Sequence, residues 1–356
     1  MSRAERVSKR LAAQGLDALL VTGPANVRYL TGFTGSNGYA VVGSGIRRFV
    51  TDFRYVERAR TEVPDFDREQ GPPRILGALA DGWPDGPVRL GFDDEDVSVR
   101  MHARLTELLP DRVELVPAGG VVEAERAVKE PGELARIRAA AELADDVYDW
   151  LLDFGLVGRT EHEVAVELEH QMCLRGASGP SFPSIVASGE QGALPHAEPR
   201  DVPIPRDVLV TLDIGARLDG YCSDCTRTWA TGEVGDELRD VYALVLRAQL
   251  SALAAVRSGP TGREVDAVAR DLIAEAGHGD RFGHGLGHGV GLEVHEAPRL
   301  SRNGADARLE AGNVVTVEPG VYLPGRGGVR IEDLVAVTAD GCEVISRTPK
   351  DLQIVA

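Results

Sequence analysis

The chain of 356 residues carries 39 lysine and arginine residues against 56 aspartate and glutamate residues, a formal net charge of −17. A chain of this length is expected to form two domains. The acidic balance disfavours nucleic-acid binding through bulk charge, and four cysteines do not suggest a disulfide scaffold. Because no stretch approaches about 20 apolar residues, no membrane span is expected.

The first half of the chain alternates between helical and extended patterns. Its predicted elements are a helix at Arg3–Gln14, strands at Ala18–Thr22, Tyr39–Val42 and Arg48–Thr51, and a helix at Tyr55–Val63. The N-terminus has only a short apolar run, which does not indicate a signal peptide, so we expect a cytoplasmic protein. The polar segment Val122–Glu133 is the predicted boundary, giving domains at residues 1–124 and 125–356.

The second half opens with helices whose ends carry recognisable signals. Pro131 suits the first position of a helix that runs to about Phe154. Two capping-box patterns predict further helices, namely Thr160 with Glu163 for a helix to Leu174, and Thr261 with Glu264 for a helix ending before Gly277.

Two buried strands joined by a tight turn are predicted between those helices. Val208–Ala216 is apolar and rich in β-branched residues, and Tyr221–Trp229 has an extended pattern. Between them, the Asp-Gly dipeptide at 219–220 favours a tight turn. Such a turn pairs the residues on either side of it and fixes the register of both strands.

This register brings two acidic side chains together. Asp213 would face Thr226, and Asp224, two residues before Thr226, would share its face. Asp213 and Asp224 would then be diagonal neighbours, about 7–8 Å apart by backbone. Their carboxylates can converge on a pair of metal ions about 3.5–4 Å apart.

The same arrangement recurs near the C-terminus. Val314–Glu318 is predicted as a strand that stops at a Pro-Gly dipeptide, and Val329–Val337 as the next strand. The two strands add the carboxylates of Glu318 and Glu332. Alternation places Arg330 on the same face as Glu332, so one cation should border the site.

A glycine-rich segment, Phe282–Pro298, supplies imidazoles. It holds His284, His288 and His295, and its alternate glycines allow close backbone approach. Four carboxylates balance the charge of two divalent ions, and a single imidazole completes an oxygen-rich shell. This donor set favours Mn²⁺ or Co²⁺, with Zn²⁺ as a further candidate, over a thiolate zinc site.

The sequence therefore predicts a two-metal hydrolase. Its candidate metal ligands are Asp213, Asp224, His288, Glu318 and Glu332. One or two such acids would be explained more simply by hydrogen bonds at strand ends. Five residues in matching contexts favour the metal site.

The chain resembles the pita-bread metallopeptidases, specifically the Xaa-Pro dipeptidases (prolidases) and Xaa-Pro aminopeptidases, through the motifs DIGARLDGYCSDCTRT, GHGVGLEVHEAP, VEPGVY and GGVRIED. The resemblance covers the whole chain and includes all five metal-ligand positions of the family. It implies an α+β fold. A pita-bread catalytic domain would be preceded by a smaller α/β N-terminal domain of the creatinase/prolidase type, built on a mixed sheet.

The resemblance also implies which ligand holds which ion. Asp213 would be bidentate to one metal, and His288 with Glu318 would hold the other. Asp224 and Glu332 would bridge both. The hydroxide bound between the metals would attack the substrate carbonyl.

Roles for the remaining site residues follow from the same resemblance. Glu318 would carry a proton to the leaving proline nitrogen, and His196 and His295 would stabilise the oxyanion. Arg330 would bind the substrate carboxylate, the alternative being a salt bridge to a free oxygen of a ligand. His284 would line the pocket.

The implied function is hydrolysis of Xaa-Pro dipeptides by two divalent ions, with Mn²⁺ favoured, in a homodimer that binds neither nucleic acid nor membranes. One alternative is an Xaa-Pro aminopeptidase acting on longer peptides. Another is a non-catalytic binding module on the same fold, although such relatives, like creatinases, alter the ligand positions. Methionine aminopeptidases share the ligands but generally lack this kind of N-terminal domain.

Overall fold

The computed structural model describes residues 1–72, 74–304 and 306–356. It divides into two compact units, Met1–Arg126 and Ala127–Ala356. The boundary predicted after residue 124 falls within the helix Val121–Arg126, which ends the first unit. Among the described residues, no helix combines the length and apolar character needed to cross a membrane.

The first unit is built on a mixed sheet, as the resemblance implied, with the strand order β4-β3-β2-β1-β5-β6. Its strands are β1 (Ala18–Val21), β2 (Gly38–Gly43), β3 (Ile46–Thr51), β4 (Asp67–Gln70), β5 (Val88–Phe92) and β6 (Val113–Pro117). Its helices are α1 (Arg3–Ala13), α2 (Pro24–Thr31), α3 (Val56–Glu62), α4 (Val99–Leu108) and α5 (Val121–Arg126), with a 3₁₀ turn at Ile75–Ala80. Strand β1 pairs antiparallel with β2 and parallel with β5, and its apolar side chains are all buried.

The second unit carries small sheets with longer helices. Its helices are α6 (Pro131–Phe154), α7 (Glu161–Leu174), α8 (Asp236–Ala255) and α9 (Gly262–Glu275), with 3₁₀ turns at Gly189–Ala193 and Gly279–Arg281. Its strands are β7 (Gly179–Pro180), β8 (Ile185–Ser188), β9 (Leu209–Ile214), β10 (Ala216–Leu218), β11 (Tyr221–Cys222), β12 (Cys225–Ala230), β13 (Gly287–Gly289), β14 (Glu296–Leu300), β15 (Val314–Val317), β16 (Gly320–Leu323), β17 (Gly327–Arg330), β18 (Asp333–Val337) and β19 (Cys342–Val344).

Two pairs of helices cover the strands of this unit. Buried residues of α6 and α7 share one apolar core with β8, β9 and β12, and those of α8 and α9 share another with β15 and β18. The predicted capping boxes at Thr160 and Thr261 are both present. Helix α8 was not among the predicted elements, although an acidic first turn and a buried apolar stripe mark it.

The predicted hairpin register is confirmed. Leu218 pairs with Tyr221, and Asp213 pairs with Thr226. The turn between the strands has positive φ angles at residues 219 and 220, 48° and 80°, as a tight hairpin turn requires.

The strands that carry the site acids are shorter than predicted. Their interruptions lie at Gly215, at Ser223–Asp224 and at Ile331–Glu332. At Gly215 the cause is close approach, because a Cβ atom there would lie 2.0 Å from the carbonyl oxygen of Ser223. At Ile331–Glu332 the chain changes its partner from β16 to β15.

The alternate glycines allow close approach in strand β13. A Cβ atom on Gly287 would lie 2.0 Å from the carbonyl oxygen of Thr316. At Gly283, in the same segment, no atom of the described residues lies within 4 Å of such a Cβ. The two glycines therefore form a matched pair, one confined and one open.

We expect Gly287→Ala to lower the free energy of unfolding by about 1–3 kcal/mol, because the added methyl group forces the backbone away from Thr316. Gly283→Ala should stay within about 0.5 kcal/mol of the unaltered protein, as for an open surface position. Urea unfolding of both variants measures the difference. Equal stability of the two variants would show that the close approach carries no cost.

Candidate metal centre

A cleft of about 690 Å³ in the second unit gathers the predicted site residues. They are Asp213, Asp224, His288, Glu318 and Glu332, together with His196, His284, His295 and Arg330. The cleft also has an apolar wall formed by Phe182, Pro183 and Ile185. Residues far apart in the sequence thus line one cleft, and a concave shape is typical of ligand-binding sites.

Three of the predicted ligands converge on one point. Ligand atoms of Asp224, His288 and Glu332 all lie within 4.8 Å of one another, and all three side chains are buried. The Nδ1 of His288 lies 3.1 Å from the carbonyl oxygen of Gly289, and a carbonyl oxygen can only accept, so Nδ1 carries the hydrogen. His288 therefore turns Nε2 toward the acids, 3.6 Å from Asp224 Oδ2 and 3.3 Å from Glu318 Oε1.

Asp213 has one oxygen engaged and one free. Its Oδ2 accepts a hydrogen bond of 2.7 Å from Nη2 of Arg330. Its Oδ1 is buried and has no hydrogen-bond partner in the part of the chain that the structure describes. A buried carboxylate oxygen without a partner is costly, and a cation would satisfy it.

The pKa values of the buried acids shift in different directions. Burial, reinforced by the charges of neighbouring carboxylates, holds the pKa values of Asp224 and Glu332 well above their usual range. Burial also raises the pKa of Asp213, although the Arg330 guanidinium opposes this. Burial would raise the pKa of Glu318 as well, but the hydrogen bond and charge of His288 lower it to about 2.

Arg330 is buried, with 4% of its surface exposed, and four of its five guanidinium N–H groups have an acceptor. Besides Asp213, its guanidinium donates to Thr226 Oγ1, to the Pro195 carbonyl and to the Tyr322 hydroxyl, each at 3.0 Å. This is the salt bridge to a ligand that was the alternative to a substrate contact. The role of Arg330 in binding a substrate carboxylate, which the resemblance implied, stays a prediction.

His284 is tied to the same network. Its Nδ1 lies 2.8 Å from the carbonyl oxygen of Gly285 and so carries the hydrogen, which leaves Nε2 to accept from Tyr322, 2.8 Å away. Burial lowers the pKa of His284. Tyr322 thus links His284 to Arg330.

The mouth of the cleft carries the remaining histidines and a cation. His196 and His295 are exposed, and the His295 ring packs edge-on against His288 with centroids 4.4 Å apart. Burial and the positive charges of His288 and Arg299 lower the pKa of His295 to about 4. Arg299 lines the cleft directly across from His288 on the paired strand, and its side chain forms no hydrogen bond or ion pair with the described residues.

The donors fit divalent ions. Carboxylate oxygens and one imidazole suit hard or borderline cations. In addition, Oδ1 of Asp213 is a buried acceptor without a hydrogen-bond partner among the described residues. Paired cations would also offset the repulsion that raises the pKa values of the acids.

Comparison with known proteins identifies the family. Residues 135–339 match the model of metallopeptidase family M24, and residues 3–128 match the creatinase/prolidase N-terminal domain. The chain belongs to metallopeptidase family M24. Its fold, a creatinase-type N-terminal domain followed by a pita-bread domain, is the one predicted.

This M24 metallopeptidase is similar along its whole length to proline-specific peptidases. A curated Xaa-Pro dipeptidase of Pyrococcus furiosus is 34% identical over 98% of this chain and 99% of its own. The solved Xaa-Pro dipeptidase of Bacillus anthracis is 41% identical, with a TM-score of 0.95 and 99% of each chain covered. The solved X-Pro aminopeptidase of Thermotoga maritima is 35% identical, with a TM-score of 0.90, covering 99% of this chain and 100% of its own.

Sequence reasoning missed two residues of this M24 site. Tyr322 joins His284 to Arg330, and Arg299 adds to the cleft a cation that forms no hydrogen bond or ion pair with the described residues. A signal for Arg299 exists, because it lies four residues after His295 in an extended segment. Tyr322 ends the motif VEPGVY, but the motif does not reveal its role, because its partners come from other segments of the chain.

Burial of the acids predicts that the thermal stability of this metallopeptidase depends on pH once a chelator has removed metal. Because the pKa of Glu332 is raised in the folded state, the folded protein holds a proton that the unfolded chain releases. The stability from this group is complete below the unfolded pKa of about 4.3 and is lost as pH rises toward the folded pKa. Glu332→Gln should therefore raise Tm more at about pH 8 than at about pH 4.5.

Thermal denaturation of chelator-treated protein at the two pH values measures this effect. Glu275→Gln, at an exposed position at the end of α9, is the control and should shift Tm equally at both. An equal shift from Glu332→Gln at both pH values would show that Glu332 is not held protonated.

Proposed function

We propose that this M24 metallopeptidase hydrolyses the Xaa-Pro bond of dipeptides with a pair of divalent ions. The observation that carries the proposal is the convergence of four carboxylates and one imidazole in a single cleft. The residues that would hold the ions are Asp213, Asp224, His288, Glu318 and Glu332. The relatives named as Xaa-Pro dipeptidases support the choice of substrate.

The chemistry divides between the ions and the side chains. Bound divalent ions would polarise the scissile carbonyl and lower the pKa of a water molecule. Glu318 would carry a proton to the proline nitrogen, which needs one to leave as an amine. The exposed rings of His196 and His295 would donate to the carbonyl oxygen as negative charge develops on it.

The cleft has groups that suit a small peptide ending in proline. The apolar wall of Phe182, Pro183 and Ile185 would contact the apolar parts of the substrate. Arg299 shares the face of His288 across the β13–β14 pair and would bind the C-terminal carboxylate. We propose that Arg330, which is buried against Asp213, instead holds that ligand in place.

Three further features are proposed from the family resemblance. The ions are Mn²⁺, with Co²⁺ or Zn²⁺ as alternatives. The protein forms a homodimer and works in the cytoplasm. Metal analysis of purified protein, sedimentation velocity and cell fractionation test these features in turn.

The principal test is hydrolysis of an Xaa-Pro dipeptide and an Xaa-Pro-Xaa tripeptide by Mn²⁺-loaded protein. We expect faster cleavage of the dipeptide. Asp224→Ala should remove both bound metal and activity, because Asp224 would bridge the ions. His295→Ala should keep the metal but lower kcat by about 10²–10³, as for loss of an oxyanion donor.

Each other outcome has a defined meaning. Faster cleavage of the tripeptide would make the protein an Xaa-Pro aminopeptidase, a kind of enzyme also represented among its structural relatives. A bound metal pair without cleavage of either peptide would favour the binding-module alternative. Loss of metal from His295→Ala would mean that His295 is a ligand.

The assignment of Arg299 makes a separate prediction. Arg299→Gln should raise KM for an Xaa-Pro dipeptide about 10–100-fold, which corresponds to about 1.5–3 kcal/mol for a hydrogen bond to a charged group. The same variant should barely affect an Xaa-Pro amide, which has no carboxylate. Arg330→Gln should impair both substrates equally, because its partner is Asp213. Equal losses from Arg299→Gln on both substrates would remove its proposed role.

A further inference from the structure

Arg227 is a buried arginine on the strand that carries Thr226. Its side chain is 1% exposed, and alternation along β12 directs it to the opposite face of the sheet from Thr226. Thr226 pairs with Asp213 and donates from its hydroxyl to Glu332 Oε2 at 2.8 Å. The Arg227 side chain therefore lies on the opposite side of β12 from the Thr226 hydroxyl, which contacts the proposed ligand Glu332.

Every N–H of the Arg227 guanidinium has an acceptor. Nη1 donates to the carbonyl oxygens of Thr226, at 2.9 Å, and of Glu332. Nη2 donates to Asp333 Oδ1 at 2.8 Å and to the Thr348 carbonyl at 2.6 Å, and Nε donates to the Thr348 carbonyl at 3.0 Å. These contacts use all five donors that an arginine has.

Glu332 is consequently fixed at three points by two consecutive residues. Its N–H donates to the Thr226 carbonyl at 3.1 Å, its own carbonyl accepts from Arg227, and its carboxylate accepts from the Thr226 hydroxyl. Glu332 lies in the gap between β17 and β18. Its backbone is therefore held by the Thr226 carbonyl on one side and by the Arg227 guanidinium on the other.

Asp333 and the segment Thr348–Lys350 hold the guanidinium from the other side. Asp333 is fully buried, and its Oδ2 accepts from Gln249 Nε2 at 2.9 Å and Lys350 Nζ at 2.5 Å. Asp145 on α6 accepts from the N–H and the hydroxyl of Thr348, at 2.9 and 2.6 Å. The carbonyl acceptors of Arg227 are therefore themselves anchored to a helix.

We propose that Arg227, backed by Asp333 and the segment Thr348–Lys350, is a positioning residue that fixes Glu332 as a metal ligand. This inference rests on the proposed function, because it assumes that Glu332 binds metal. A lysine at this position would keep the charge beside Asp333 but has no planar fork to reach the Glu332 carbonyl at the same time.

The test is the Mn²⁺ affinity of Arg227→Lys, titrated without any peptide. The concentration of free Mn²⁺ is measured by electron paramagnetic resonance. Loss of a group that orients a metal ligand typically costs about 10–100-fold in metal affinity, and we expect a loss in this range. The visible absorption of the Co²⁺-saturated variant should also change, since it reports ligand geometry.

Arg200→Lys is the matched control. Arg200 makes a two-point contact with a fully buried carboxylate, Glu161, at 2.9 and 2.8 Å, but neither residue contacts a proposed ligand. Arg200→Lys should lower Tm without changing Mn²⁺ affinity or the Co²⁺ spectrum. If Arg227→Lys behaves in the same way, Arg227 is merely structural and the proposal is wrong.

A second variant decides the matter if Arg227→Lys does not fold. Lys350→Met removes the partly exposed cation from Asp333 and leaves Arg227 in place. We expect a smaller loss of Mn²⁺ affinity in the same direction, and unchanged affinity would overturn the proposal. Because the titration involves no peptide, an unaltered protein that binds the metal pair but cleaves neither peptide contradicts only the proposed function.

Discussion

Mutual repulsion among buried carboxylates is the interaction on which the site depends. Asp224 and Glu332 have raised pKa values, while imidazole and guanidinium groups hold Glu318 low. Acids in such an environment stay together only when cations or hydrogen-bond donors compensate them. Arg330 contacts Asp213 and His288 contacts Glu318, whereas Asp213 Oδ1 has no hydrogen-bond partner among the described residues.

The predicted ligands lie at or beside points where the regular pairing of strands stops or shifts. Asp213 precedes the break at Gly215, Asp224 lies between β11 and β12, Glu318 between β15 and β16, and Glu332 between β17 and β18, while His288 lies beside an irregularity in β13. Asp213 and His288 themselves are still paired with neighbouring strands, and the regular pairing stops or shifts next to them. Side chains such as Arg227 and Ser223 bind backbone groups at such points. The rigidity of the site therefore comes from side chains behind it as much as from the sheets.

Local patterns carried much of the prediction. The Asp-Gly turn and side-chain alternation were enough to place Asp213 opposite Thr226, because a hairpin register depends only on neighbouring residues. The strand breaks were not predicted, because they depend on distant partners, such as Ser223 at Gly215 and the change from β16 to β15 at Ile331–Glu332, that the sequence does not reveal locally. Arg330 shows the same limit. Side-chain alternation predicted that Arg330 borders the site. Its contacts with Asp213 and Tyr322 are seen only in the structure.

The acceptors that Arg227 needs also determine when the site can be completed during biosynthesis. Thr348 lies 121 residues after Arg227 in the chain. A ribosome that adds about 5–20 residues per second needs about 6–24 s to cover that distance. The segment from β9 to β12, which carries Asp213 and Asp224, is therefore made well before the segment that supports Glu332. The proposed set of metal ligands would therefore gain its full support only after Thr348 has been added to the chain.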